Sequence, residues 1–411
     1  MNKLTDRKQV SSLILLCTLA YCISYISRVN LSGTLVEVVS SGFAPKNLAA
    51  LALTVSSITY GTGQILSGFL GDRFKPHHLI SIGFAITACT NLLVGFLPVQ
   101  SLLVPLWAIN GFAQSLMWPP MVAILTHRLT EEDYRVACVR VSWGSSFGTI
   151  AVYLLSPLVI SALSIRWVFF FSAAAAGIML LSWNLIFRKH FDGGIPIVAS
   201  KRKTDSAPTT QAVPFRTSDL MLTAAIILGI VLQGFLRDGV TSWTPSYISD
   251  TFQLSSTAAI LSGVILPLFS IAAFQAASFV LKKWFRNEMV CAAVIFLTGC
   301  VAAVLLTIFN GRSMVLSLLC LALLVGSMHG VNLILICMVP PKFAKFGRVS
   351  LISGVLNSGT YIGSAISAYG TAVYTEAFGW SSTILMWSGV ALAGFLVCMA
   401  LKKKWIRFNA Q

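Results

Sequence analysis

The chain is built from apolar runs of about 20 residues, the length a helix needs to cross the hydrocarbon of a bilayer, separated by short polar turns. The runs are continuous rather than alternating in polarity, which points to helices rather than strands. A helix also satisfies its own backbone N–H and C=O groups, as lipid demands. The runs fall near 11–34, 48–70, 79–98, 101–125, 136–163, 167–187, 219–247, 254–281, 289–309, 313–339, 349–373 and 381–401. Charged residues make up only 10% of the chain and hydrophobic ones 56%, against about 25% charged in a soluble protein. The expected class is therefore an all-α membrane protein of twelve spans, with the least distinct boundary between spans five and six, at Ser164 to Trp167.

The net charge of +16 would suggest nucleic acid in a soluble chain. Here it follows loop topology. Of the 29 Lys and Arg residues, only Lys46, Arg166 and Arg312 fall in the loops of one side, and Arg28 and Arg237 fall within spans. The rest lie on the other side. That asymmetry predicts cytoplasmic termini, a lipid-embedded chain and no nucleic-acid partner. The longest polar stretch, 189–218, contains KRKTDSAPTTQ and reads as a linker. It divides the chain into a six-helix bundle over 1–188 and another over 219–411. The first apolar run has no small-residue cleavage site after it and reads as a retained span. The nine cysteines show no paired spacing and read as apolar fillers. Span four carries Met117-Trp118-Pro119-Pro120 and span ten ends with Met338-Val339-Pro340-Pro341, a weak sign that the halves repeat. Paired halves of this kind bind substrate near the bilayer midplane.

Two arginines lie inside apolar runs: Arg28 in AYCISYISRVNLSG and Arg237 in LQGFLRDGVTSWTPSY. A guanidinium at the centre of a bilayer costs about 2.5–3.5 kcal/mol on insertion scales, and it keeps its charge. Each must face a wet cavity or a fixed partner. One in each half suggests an anion site. On a helix, residues three, four and seven apart share a face, so Tyr21, Ser24, Tyr25 and Ser32 accompany Arg28. Gln233 and Thr241 accompany Arg237. Neighbours on a helix point about 100° apart, so a direct Arg237–Asp238 clamp is not expected. Asp238 is read as pairing with another span or carrying a coupling proton, with Glu37 as a second candidate for that proton.

Further polar faces that could contact substrate are Tyr60 and Gln64 in span two, Asn110, Gln114 and Met117 in span four, His329 and Asn332 in span ten, and Asn357, Tyr361 and Ser364 in span eleven. Each fits helix-to-helix hydrogen bonding equally well. After span two, Gly68-Phe69-Leu70-Gly71-Asp72-Arg73 suits a cytoplasmic gate. Its glycines allow close helix approach, and Asp72 can cap a helix or pair with basic groups. No phosphate-binding G-x-x-x-x-G-K-[ST] loop and no metal-ligand spacing occurs, so neither ATP drive, cofactor nor metal is expected and the chain does not read as an enzyme.

The Gly68–Arg73 segment resembles the signature loop of the major facilitator superfamily, and the span count, linker and paired halves extend that likeness over the whole chain. SYISRVNLS, NGFAQSLMWPPMVAIL, LRDGVTSWTPSYI and SGVLNSGTYIGSA further resemble the organophosphate:phosphate antiporters. In that family two arginines grip the phosphate, which by position implies Arg28 and Arg237. Some members carry Lys where this chain has Gln64 and His where it has Phe147, so the likeness implies the anion grip and leaves the organic part of the substrate open. Span one also resembles the anion:cation symporters for sugar acids, which place an acid where this chain has Ser27. The resemblance implies a monomeric inner-membrane carrier that takes a small anion, a phosphate ester, in exchange for inorganic phosphate. The alternatives are proton-coupled symport of a carboxylate such as a sugar acid, and a transporter-like anion sensor.

Overall fold

The computed structural model describes residues 3–97, 99–191, 216–253 and 264–410. Most of the 189–218 linker and the start of the expected eighth span, 254–263, lie outside the described residues. Every regular element within them is helical. The described chain divides into two units. One takes Met1–Val213 with Phe343–Val355, and the other takes Pro214–Lys342 with Leu356–Gln411.

The first unit contains α1 (Arg7–Gly33), the short α2 (Leu35–Ser40), α3 (Lys46–Arg73), α4 (Pro76–Phe96), α5 (Leu103–Ser115), α6 (Trp118–Arg128), α7 (Glu131–Ala162) and α8 (Ile165–Phe191). Local chemistry sets several starts. The Asp6 carboxylate accepts from Lys8 N–H to open α1. The Thr130 hydroxyl accepts from Asp133 N–H to open α7, whose first turn holds Glu131, Glu132 and Asp133, favourable at the positive end of the helix dipole. The expected boundary between spans five and six is the short turn from Leu163 to Ser164. Span four takes a form that its apolar run does not reveal. Pro119 and Pro120 have no N–H to give to the preceding turn, and the helix breaks at Leu116–Met117 into α5 and α6.

The second unit holds α9 (Thr217–Phe252), α10 (Ile265–Lys283), α11 (Glu288–Phe309) and α12 (Met314–Asn332). α12 continues into a π-helical turn over Leu333–Met338 and a 3-10 segment over Pro340–Phe346. The last element, α13 (Val349–Ala410), begins in the first unit and continues in the second. Gly379 interrupts it in a non-helical conformation, φ 75° and ψ 174°, between the two expected final spans.

Among the described residues, nine helical segments are long and apolar enough to cross a membrane. The other expected spans differ for identifiable reasons. α3 is 28 residues long but carries Thr54, Ser56, Ser57, Thr59, Thr62, Gln64 and Ser67. Span four is broken, and span eleven is the glycine- and serine-rich first arm of α13.

Lipid gives apolar faces little reason to associate, so helices here are held by close packing between small residues. A Cβ on Gly144 or Gly148 of α7 would come within 2.5 Å of the Thr18 and Cys22 carbonyl oxygens of α1. In the second unit, a Cβ on Gly363 of α13 would overlap the Val231 carbonyl of α9, and one on Gly359 would press on Ile227 and Ile230. Gly144 and Gly148 stand to Gly359 and Gly363 as Thr18 and Cys22 stand to Ile227 and Val231. The two helix crossings are therefore the same crossing, built twice. Gly111 on α5, against Ser56 and Thr59, has its counterpart in Gly326 on α12, against Phe269 and Ala273. That register pairs Met117 with Asn332, so the two Pro-Pro pairs are not equivalent positions. The α5–α6 break corresponds instead to the level where α12 turns π-helical.

Candidate functional site

The repeated crossing locates both arginines. Arg28 lies six residues beyond Cys22, and Arg237 lies six residues beyond Val231. Each therefore projects from the same point of its unit, about one and two-thirds turns past a glycine contact that fixes the helix. Both are half-buried.

The Arg28 guanidinium carbon lies 4.1 Å from the ring centre of Tyr25 and 4.6 Å from that of Tyr60. Aromatic faces carry negative quadrupoles, and such contacts hold a cation by about 0.5–2 kcal/mol each. Tyr21 extends the aromatic wall, 5.1 Å from Tyr25 and 5.2 Å from Trp118. Gln64 is buried one turn beyond Tyr60 on α3. Gln114, on the facing helix α5, is bonded one turn before Arg28. It accepts from the Ser24 hydroxyl and donates to Thr87 Oγ1 at 3.2 Å.

That bond belongs to a buried polar network. Asn30 Nδ2 donates to Asn91 Oδ1 at 2.8 Å and to Ser172 Oγ at 3.0 Å. Asn110 Nδ2 donates to the Ser27 carbonyl at 3.1 Å, and Thr90 donates to Asn110 Oδ1 at 3.3 Å. These bonds tie α1, α4, α5 and α8 together and hold the α1 face that carries Arg28. Sequence reasoning missed Asn30, Thr87, Asn91 and Ser172. The signal was the spacing of Thr87 and Asn91, four apart on one face of a largely apolar span.

Around Arg237 the chemistry differs. Its Nε donates to Asp238 Oδ1 at 2.6 Å and its Nη2 to Asp238 Oδ2 at 2.9 Å. This corrects the expectation that adjacent helical positions would keep the pair apart. Their Cβ directions diverge, but the arginine side chain is long enough to fold back along the helix and lay its fork on the neighbouring carboxylate. The Ser364 hydroxyl from α13 reaches the same carboxylate. His329 on α12 lies within electrostatic range of both Arg237 and Asp238, with its ring edge-on to Phe274 at 5.4 Å. Gln233 sits one turn before Arg237 and donates to the Met328 carbonyl at 3.1 Å. Gln233 Oε1 and Asn332 Nδ2 are buried and have no hydrogen-bond partner among the described residues. Asn357 and Tyr361 lie on the same face of α13, with Asn357 buried and Tyr361 half-buried. Glu37 lies on α2, beyond the end of α1.

At the end of α3, Asp72 caps α13. Its two carboxylate oxygens accept from Ser350 and Leu351 N–H, each at 2.9 Å. Gly68 and Gly71 make room: a Cβ on either would overlap or press on Ser350. Asp72 lies beyond the expected span. Burial pushes its carboxyl up to about 6, against the opposing pull of the two N–H groups and Arg348. Arg73 places its guanidinium 3.7 Å from the Phe69 ring centre. Among the described residues no cluster of His, Cys, Asp and Glu is grouped to hold a metal.

The sequence model of the Major Facilitator Superfamily matches residues 17–368. The chain belongs to that superfamily. It is thus a multi-pass membrane protein of a family of transporters, not enzymes. The superfamily fold is also found in solved structures that share little sequence. The proton:xylose symporter XylE superposes with a TM-score of 0.72 at 14% identity, covering 96% of each chain. A bacterial homologue of the iron transporter ferroportin, outward-facing, gives 0.68 at 12% identity, covering 97% of this chain and all of the other. Among curated relatives of this superfamily member, the glycerol-3-phosphate transporter of Bacillus subtilis is 24% identical, covering 90% of this chain and 86% of that protein. The membrane sensor protein UhpC of Salmonella typhimurium is 22% identical, covering 92% and 90%. A probable hexose phosphate transport protein of Chlamydia trachomatis is 30% identical over 132 residues, 32% of this chain and 27% of its own. Two of these relatives are thus named for the transport of phosphate esters and one as a membrane sensor.

Proposed function

We propose that this chain carries a phosphate ester across a bacterial-type cytoplasmic membrane by alternating access, in exchange for inorganic phosphate. The observation that supports it best is the equivalence of Arg28 and Arg237 in a twice-built helix crossing. The relatives named for glycerol phosphate and hexose phosphate add the substrate class. The reading takes twelve spans in two halves, 1–188 and 219–411, joined by 189–218, with both termini cytoplasmic and the carrier monomeric. Arg28 and Arg237 grip the anion, since a guanidinium fork matches phosphoryl oxygens two at a time. Tyr25, Tyr60, Gln64, Gln114, Gln233, His329, Asn332, Asn357 and Tyr361 are the residues around them that shape the organic part of the site. Gly68, Asp72 and Arg73 serve the conformational change.

Exchange follows from charge. An empty carrier must seal cationic side chains away from water, which costs desolvation free energy. A bound anion removes most of that cost, so the loaded carrier reorients faster. Counterflow tests this: proteoliposomes loaded with phosphate should accumulate labelled glycerol 3-phosphate or hexose phosphate, and vesicles without internal anion should not. The likeness to a membrane sensor over 92% of this chain supports a second reading, an anion receptor. That reading predicts phosphate-ester binding without counterflow.

A further inference from the structure

The Arg237 fork is occupied. Asp238 takes its Nε and Nη2 edge with both carboxylate oxygens, one of the two edges by which a guanidinium can hold an anion with paired hydrogen bonds. An anion arriving there meets a carboxylate on the same guanidinium. Two negative groups crowded onto one cation in a partly buried site cannot both keep full charge at low cost, and such pairs share a proton. The corresponding helix of the first unit carries a different neighbour. By the glycine register, Val29 occupies the place of Asp238 and Tyr25 the place of Gly234. An acid directly after the arginine is thus present on the helix of Arg237 and not on that of Arg28.

We propose that Asp238 is the proton acceptor that allows Arg237 to take an anion, so that each anion bound brings one proton with it. This inference rests on the reading of Arg237 as an anion ligand. A proton from the aqueous side facing the open site forms an O–H bond with one Asp238 oxygen. The neutral carboxyl then leaves the fork and keeps a partner in the Ser364 hydroxyl on α13. When the anion departs, the proton returns to water and the Arg237–Asp238 pair re-forms. Besides Arg237 on its own helix, the titratable group that acts on Asp238 is His329 on α12. With the pair re-formed, the empty carrier seals away one fewer uncompensated cation.

Calorimetric titration of the purified full-length protein with inorganic phosphate, in two buffers of different ionisation enthalpy, counts protons taken up per anion. After subtracting phosphate's own ionisation, the expected count near neutral pH is one for the wild type and none for Asp238→Asn. The wild-type affinity should fall roughly tenfold per unit rise in pH more than that of Asp238→Asn. Asp238→Glu should keep the proton, which guards against a folding defect in the asparagine variant. His329→Gln should also keep it, whatever its affinity. A wild-type count of zero, or a proton lost with His329 rather than Asp238, overturns the proposal. If phosphate binding needs both arginines and no proton is taken up, only the Asp238 assignment falls. If the wild type fails to bind phosphate, or binds it equally well after Arg28→Lys, the anion-carrier reading falls with it.

Discussion

Arg28 and Arg237 occupy one position in a repeated crossing, and the side chains seen against them differ. Arg28 rests against the rings of Tyr25 and Tyr60, which carry no net charge. Arg237 is clasped by the Asp238 carboxylate. The glycine framework that places each arginine is kept, while the residues beside them are not. The repeat therefore governs where a cation stands, and its neighbours govern how available that cation is.

The largest expected effect separates the two sites by stability. Arg237→Ala leaves Asp238 without its partner at a site where the two side chains are only 13% and 26% exposed. The loss should be about 3 kcal/mol, seen as a lower thermal midpoint, and Asp238→Asn added to it should recover most of the loss. Arg28→Ala removes two cation–π contacts of about 0.5–2 kcal/mol each and should lower the midpoint less. Equal falls in both variants would erase the distinction. Next, Tyr25→Leu or Tyr60→Leu removes a cation–π contact worth about 0.5–2 kcal/mol. Phosphate affinity, read by thermal shift, should weaken by up to roughly tenfold, and the Phe variants should stay near wild type.

The smallest effect concerns the helix cap. In the docked state Asp72 holds its proton up to about pH 6, above the ordinary value of 3.8. Docking therefore binds a proton more tightly than the exposed side chain does. It is strongest below about pH 4 and weakens as pH rises through about 6. Hydrogen exchange at Ser350 and Leu351, corrected for intrinsic rates, should show protection falling across that window. Asp72→Asn should remove the pH dependence.

Much of this was readable in the chain because lipid is an unforgiving solvent. Long apolar runs announce helices, and a guanidinium inside one stands out. What stayed hidden depended on side-chain reach and on backbone irregularity. The angular separation of Arg237 and Asp238 was read from Cβ directions, and the flexible arginine stem overrides them. The Pro-Pro pairs at 119–120 and 340–341 looked like repeat marks, yet the packing of Gly111 and Gly326 sets a different register. Thr87, Asn91 and Asn30 each resemble ordinary helix contacts, and their joint network appears only when four helices are assembled.

The most direct test of the two-arginine account is counterflow of labelled glycerol 3-phosphate into phosphate-loaded proteoliposomes, comparing the wild type with Arg28→Lys and Arg237→Lys. Lysine keeps the charge and loses the planar fork. The account predicts that each variant, folded and reconstituted to equal amounts, loses roughly tenfold or more of its initial rate, in line with a lost charge-assisted hydrogen bond. A near-normal rate in either variant would contradict it.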